Sequence, residues 1–171
     1  MPRKLVISAL LLTALALVAW LLTPPRLVNS AAVPALPEDL DAYLLEREQS
    51  IAEEFPLVPG TEKRIRWQSE GERSDYALVY LHGFSGSRQG LLPATELIAD
   101  ALGANLFETR LRGHGRAENG LVGSRAEDWL EDAAEALAIG ARLGDRIILM
   151  GTSTGATLAM AMLEHPAMAD V

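Results

Sequence analysis

Three short apolar runs alternate with three longer runs in the second half of the chain. The short runs cover residues 76–81, 104–110 and 146–150. Each is largely apolar and free of proline, which is typical of a buried strand. The longer runs have the spacing of helices and cover residues 91–103, 124–144 and 156–165. This alternation predicts an α/β fold with a parallel sheet covered by helices on both faces. Right-handed crossovers would bring the C-terminal strand ends to one edge, where such sheets bind ligands.

The N-terminus has a different pattern. Residues 5–22 are apolar apart from one serine and one threonine, and two basic residues precede them. This run is near the lower length limit of a transmembrane helix and longer than the usual core of a signal peptide. We expect an uncleaved signal anchor over residues 1–23, with the rest of the protein held outside the cytoplasm, in the periplasm or extracellular space. Cleavage near residues 30–32, which would give a secreted protein, is the alternative.

Two further segments separate this run from the predicted domain of residues 59–171. Residues 24–37 contain four prolines and predict a stiff linker. Residues 38–58 predict an acidic amphipathic helix that packs on the domain. Its apolar positions lie on or near one face: Leu40, Tyr43, Leu44, Ile51 and Phe55. Residues 63–67 alternate polar and apolar side chains, which predicts an N-terminal antiparallel strand with one half-exposed face.

The composition narrows the classes of function. The chain has 23 acidic against 15 basic residues, and every acidic residue lies after residue 30. The predicted exported part is therefore acidic, which argues against binding to nucleic acid or to anionic head groups. There is no cysteine, so disulfides and thiolate metal sites are excluded, and the histidines and acids lack metal-ligand spacing. We expect neither a cofactor nor a metal.

The residues that carry chemistry begin with Gly151-Thr152-Ser153-Thr154-Gly155. This G-x-S-x-G lies between a predicted strand and a predicted helix, which is the context in which the motif indicates a nucleophilic serine. Bulky side chains two positions from a serine at so sharp a turn would clash, so glycine is needed at 151 and 155. The hydroxyl would project beside the free N–H groups of the helix. A turn of this kind can also bind a phosphate or a nucleotide.

Two other turns follow the other predicted strands. His82-Gly83-Phe84 follows the run at 76–81, and Arg112-Gly113-His114-Gly115 follows the run at 104–110. The three motifs in this order resemble the N-terminal part of the α/β-hydrolase fold superfamily, in its serine aminopeptidase-like and monoacylglycerol lipase-like branch. The resemblance covers about residues 60–171. Many members of the branch have an aspartate at the position of Arg110 and a serine at the position of Arg116, so this chain departs from the pattern twice.

The resemblance implies a role for each motif. Ser153 would be the nucleophile, and the backbone N–H groups of Phe84 and Thr154 would form the oxyanion hole. The remaining residues would support these loops, and neither histidine among them would be the base. These supporting residues are His82, Gly83, Gly151, Gly155 and His114.

A nucleophilic serine also needs a histidine base and an acid, and in this fold both follow the serine along the chain. His165 is the only histidine after Ser153, and we expect it at the end of the elbow helix and outside the catalytic site. We therefore expect the acid, the base and a lid to lie beyond residue 171. On this hypothesis the chain is a fragment that ends after the elbow helix and is inactive by itself.

These observations favour a serine hydrolase that cleaves a carboxylic ester, or another acyl bond, through an acyl-enzyme on Ser153. Its partner would be a small-molecule acyl substrate, with lipids included, and residues 5–22 would contact the membrane. Two alternatives stay open. One is a non-catalytic protein of the same fold that binds a lipid or a partner. The other is a phosphate-binding α/β domain, although the turn lacks the P-loop lysine and the chain lacks G-x-G-x-x-G.

Overall fold

The computed structural model describes residues 12–20, 31–118 and 120–165. Residues 12–20 are helical and are designated α1. The other helices are α2 (Leu40–Glu54), α3 (Ala94–Leu102), α4 (Ala126–Leu143) and α5 (Thr154–Leu163), with a short 3-10 helix at Arg88–Leu91. The strands are β1 (Arg64–Arg66), β2 (Ser74–Leu81), β3 (Asn105–Glu108) and β4 (Gly144–Gly151). Each strand of the predicted alternation is present.

The four strands form one sheet in the order β1-β3-β2-β4. β2 pairs in parallel with both β3 and β4, whereas β1 pairs antiparallel with β3 and sets Ile65 opposite Phe107. The predicted α/β architecture is confirmed, but the sheet is mixed and not wholly parallel. The antiparallel strand is β1, which lies within residues 63–67, the segment predicted to form an antiparallel strand. The C-terminal ends of β2, β3 and β4 meet at one edge of the sheet.

The core lies on both faces of β2, as expected for the central strand of a parallel sheet. Its side chains alternate between the two faces because the strand has a period of two. Ala77, Val79 and Leu81 pack with α4, α5 and α2, whereas Leu78 packs with Ala99 of α3. β2 is therefore the central strand of a three-layer arrangement, with helices packed on both faces of the sheet.

Two helices differ in detail from the sequence expectation. The helical pattern groups Leu97, Ile98 and Leu102 on one face of α3, yet all three are exposed, and the helix buries Thr95 and Ala99 instead. The small side chains of Thr95 and Ala99 allow α3 to lie close to the sheet, which explains why the helix packs through them and not through its larger apolar side chains. The sequence S-x-x-E at Ser124 and Glu127 has the form of a capping box for α4, but the box of the structure lies one residue further along the chain. The Asp128 carboxylate accepts the N–H of Arg125, 2.8 Å away, and Arg125 is the N-cap.

The N-terminal third contributes to the same core. Helix α2 lies within the range predicted for the acidic helix, and its Leu40 and Leu44 are buried in the main cluster. The predicted signal anchor of residues 1–23 lies largely outside the described residues, which include only 12–20 of its apolar run at 5–22, and the localisation that depends on it stays a prediction. Across the described ranges, helices that combine enough length with enough apolar character to cross a bilayer are absent.

Candidate active site

The G-x-S-x-G turn connects β4 directly to α5. Ser153 is the N-cap of α5, with φ 49° and ψ −116°, a region that residues with a side chain rarely adopt. The Ser153 carbonyl accepts the N–H of Thr157 at 3.1 Å, which closes the first helical turn behind it. The Ser153 side chain is exposed at the strand-end edge of the sheet. The turn therefore holds a hydroxyl outward at the positive end of a helix.

The two glycines of the motif are sterically required. A Cβ on Gly155 would lie 2.0 Å from the Leu81 carbonyl oxygen, because α5 crosses directly over the end of β2. A Cβ on Gly151 would lie 2.5 Å from the backbone N of Ala156. Both obstacles are backbone atoms, which cannot rotate away as a flexible side chain can. The sharp turn at Ser153 is therefore possible only with glycine at both positions.

The loop after β2 lies against the serine. A Cβ on Gly83 would lie 3.3 Å from the Cβ of Ser153 and 3.1 Å from the carbonyl oxygen of Thr152. The loop closes tightly, with the Gly86 N–H donating to the Gly83 carbonyl at 3.0 Å and Ser85 at a positive φ of 56°. Within the described part of the chain, the N–H groups of Phe84 and Thr154 donate no hydrogen bond.

His82 holds this loop in place. Its Nδ1 lies 2.9 Å from the Gly83 carbonyl oxygen, and its Nε2 accepts the N–H of Leu111 at 3.1 Å. The ring is completely buried, and this burial lowers the pKa of His82 to about 4. The imidazole is therefore neutral at physiological pH, with both nitrogens bonded to backbone. Such a ring joins two loops and has no free nitrogen for proton transfer.

His114 makes the second connection between the same loops. Its Nε2 accepts the N–H of Ser85 at 3.1 Å, and its Nδ1 lies 3.3 Å from the Arg112 carbonyl oxygen. Burial lowers the pKa of His114, which keeps this ring neutral as well. Its ring packs edge-on against three other rings, with centroids 4.8 to 6.2 Å apart: His82, Phe84 and Trp129. Trp129 of α4 therefore also lies beside the site. The helical pattern of the sequence predicts only that Trp129 belongs to a helix.

The third histidine lies at the far end of α5. His165 follows the helix, and its Nε2 lies 2.7 Å from the Ala31 carbonyl oxygen. Among the described residues, no histidine forms a hydrogen bond with Ser153. The described ranges likewise contain no group of three His, Cys, Asp or Glu residues placed to hold a metal ion. The described residues therefore present an exposed Ser153 hydroxyl with no histidine bonded to it.

A buried network of charged side chains contacts the Arg112–Gly115 turn through the backbone N–H of Arg112. The sequence pattern did not predict this network. Lys63 forms ion pairs with Glu135 and, at 3.5 Å, with Asp132, which also accepts the Arg112 N–H at 2.5 Å. Burial raises the pKa of Asp132. Burial is the largest single influence on Glu135 and acts to raise its pKa, but the charge and hydrogen bond of Lys63, the hydrogen bond of Tyr43 and the charge of Arg47 together lower that pKa. The only sequence signal for this network is the acidic character of α4.

An apolar cavity of about 290 Å³ adjoins the turn between α4 and α5. Thr154, the residue after Ser153, is part of its wall. The other walls are formed by Ala126, Trp129, Leu130, Thr157, Leu158 and Ala161. Apolar side chains near a few polar groups are typical of small-molecule sites.

The comparisons with known proteins agree with this geometry. The family model described as "Alpha/beta hydrolase family" matches residues 78–171, more than half of the chain. The chain belongs to the α/β hydrolase family. The thermostable monoacylglycerol lipase of Bacillus sp. (strain H-257) is 26% identical over 115 residues, which cover 67% of this chain and 44% of that lipase.

The chain is also similar to a solved structure of a lipolytic enzyme. A chain from the work on LipS and LipT, two metagenome-derived lipolytic enzymes, superposes with a TM-score of 0.52 and 28% identity. The match covers 60% of this chain and 39% of that one. This hydrolase-family chain therefore spans less than half the length of both relatives, each of which is described as lipolytic.

Proposed function

We propose that the protein is a serine hydrolase that cleaves a carboxylic ester through an acyl-enzyme on Ser153. Attack by the hydroxyl on the ester carbonyl forms a bond from Oγ to carbon, the alcohol leaves with a proton, and water then releases the acid. The backbone N–H groups of Phe84 and Thr154 bind the carbonyl oxygen as its negative charge grows. The proposal requires a histidine base and an acid to complete the triad, and in this fold both follow the serine along the chain.

The observation that carries this proposal is the backbone of Ser153. A positive φ on a residue with a side chain costs about 1–3 kcal/mol and persists where the surrounding structure enforces it. Gly151 and Gly155 enforce it here by close backbone approach, and the result is an exposed hydroxyl beside the Gly83 loop. A turn that merely reversed the chain would have no need of this conformation.

The apolar cavity beside Thr154 supports an ester with an apolar acyl group. Its walls contribute almost only carbon atoms and include Thr154, so an acyl chain bound there would lie beside the residue proposed to supply one oxyanion N–H. The lipolytic names of the two relatives point to the same substrate class. Burial of each methylene group would contribute about 0.8 kcal/mol.

The test is covalent labelling of the intact protein with a fluorophosphonate probe, which reacts with activated serines. Wild type should be labelled, and Ser153→Ala should lose the label together with hydrolysis of p-nitrophenyl esters. Ser69→Ala is the matched control, because Ser69 is an exposed serine on a surface turn away from the strand-end edge. Labelling that persists in Ser153→Ala would remove Ser153 from the role. Absence of labelling in folded wild type would favour a non-catalytic binding protein.

A further inference from the structure

A buried ion pair joins α2 to the loop after β3. The Arg110 guanidinium donates to both carboxylate oxygens of Glu48, with distances of 2.9, 2.9 and 3.1 Å. Arg110 is 2% exposed and Glu48 is 7% exposed, so water does not screen the pair. The resemblance described above implies an aspartate at the position of Arg110 in many members of the branch. In this chain the position holds an arginine, and its partner Glu48 comes from α2.

Arg110 also contacts the Arg112–Gly115 turn. Its Nη1 donates to the His114 carbonyl oxygen at 3.3 Å, and a Cβ on Gly115 would lie 2.9 Å from the Arg110 Cδ. The Gly115 carbonyl accepts the N–H of Val58 at 2.7 Å, and the Arg116 guanidinium lies 3.5 Å from the centre of the Phe55 ring. Both departures from the branch pattern, Arg110 and Arg116, thus contact α2 or the residues just after it.

The same turn contacts the loop that carries Phe84. The Nε2 of His114 accepts the N–H of Ser85, and the Nε2 of His82 accepts the N–H of Leu111. Ser85 is the residue next to Phe84. A continuous series of hydrogen bonds therefore runs from the Glu48 carboxylate through Arg110 and His114 to the peptide beside the proposed oxyanion donor.

We propose that Glu48 and Arg110 are positioning residues for the Phe84 N–H. This proposal rests on the proposed function, in which that N–H binds the carbonyl oxygen. Glu48 fixes the guanidinium, the guanidinium fixes the His114 backbone, and the His114 ring fixes Ser85. Neither residue touches the substrate. Oxyanion donors act through exact placement, and a misplacement of about 1 Å can reduce the rate by about 10²-fold.

The decisive variant is the double substitution Glu48→Leu/Arg110→Met in the intact protein. Removing Glu48 alone leaves a buried unpaired charge and can unfold the protein, whereas replacing both partners by apolar residues is often neutral or stabilising. The double variant keeps the packing of α2 but removes the donor to the His114 carbonyl. Glu46→Gln is the matched control, since Glu46 is exposed on the same helix.

We expect the double variant to melt near the wild-type temperature and to show a kcat lower by about tenfold or more, with KM within about twofold. Hydrogen exchange at the Ser85 amide should become faster, because its bond to His114 is no longer held. Arg110→Lys, which keeps both a donor and a counter-ion for Glu48, should retain more kcat than the double variant. Glu46→Gln should match wild type in every measurement.

Three results would overturn the proposal. The first two are an unchanged kcat in the folded double variant and an unchanged exchange rate at the Ser85 amide. The third is a double variant in which both kcat and the melting temperature fall, with Arg110→Lys showing the same losses, because this would indicate a pair that only stabilises the fold. Failure of the proposed function has a different signature. Wild type itself would then resist the fluorophosphonate probe, and the exchange of Ser85 would still respond to the double substitution.

Discussion

Gly155→Ala is the sharpest test of how the serine turn is built. The three atoms nearest to the added Cβ are all backbone: the Leu81 oxygen at 2.0 Å, the Leu81 carbon at 2.5 Å and the His82 oxygen at 2.6 Å. Real Cβ atoms essentially never approach closer than 3.0 Å. Helix α5 must therefore move away from β2 by about 1 Å, and overpacking of this kind costs about 1–3 kcal/mol or more.

The same movement should affect the chemistry. Thr154 is adjacent to Gly155, so its N–H moves with the helix and away from the position it needs beside the substrate carbonyl. We expect the free energy of unfolding to fall by about 3 kcal/mol. We expect the rate of fluorophosphonate labelling at Ser153 to fall by about 10²-fold in the protein that remains folded. Urea titration followed by tryptophan fluorescence gives the first quantity, and a labelling time course gives the second.

Alanine substitutions at two other glycines serve as controls, because they add a Cβ atom without the steric clash found at Gly155. Gly90→Ala meets no atom within 4 Å and has no positive φ, so both quantities should stay at the wild-type value. Gly103→Ala also meets no atom, but its φ of 61° should cost about 1 kcal/mol without changing the labelling rate. If Gly155→Ala behaved like Gly90→Ala, the close crossing of α5 over β2 would be wrong.

The remaining predictions concern a buried histidine and the apolar cavity. His82 has a pKa of about 4 against an ordinary 6.5, so its stabilising contribution is complete above pH 6.5 and is lost as the pH falls towards 4. Between pH 7 and pH 4 this loss lowers the free energy of unfolding by about 3 kcal/mol. In His82→Asn the free energy of unfolding should fall by about 3 kcal/mol less over the same pH range, as measured by urea titration at each pH. An unchanged pH dependence in the variant would contradict the burial of a neutral ring. Ala161→Phe places a ring in the cavity beside Thr154 and should lower kcat/KM for long-chain esters by about tenfold or more while leaving acetate esters unaffected. An equal loss for both esters in steady-state assays would place the acyl group elsewhere.

The parts of the site that could be predicted are those that local sequence determines. A short apolar strand, a turn with glycine on both sides of Ser153 and a following helix are contiguous, so the turn can be read directly from residues 144–163. The loops at His82 and His114 follow from the same strand pattern. The pairing of Glu48 with Arg110 joins residues 62 positions apart, and a single charge on a helix does not reveal its partner. The burial of α3 through Thr95 and Ala99 was missed because helix periodicity indicates which residues share a face but not which face packs.

The way α2 is attached also matters for where the folding unit begins. The family match starts at residue 78, in the middle of β2, whereas Leu40 and Leu44 lie in the main core and Glu48 neutralises a buried guanidinium. A recombinant product cut at the family boundary would lack half of its central strand and would leave Arg110 without its counter-ion. The packed core therefore includes residues that lie before the family match, and truncation studies should keep the chain from before Leu40.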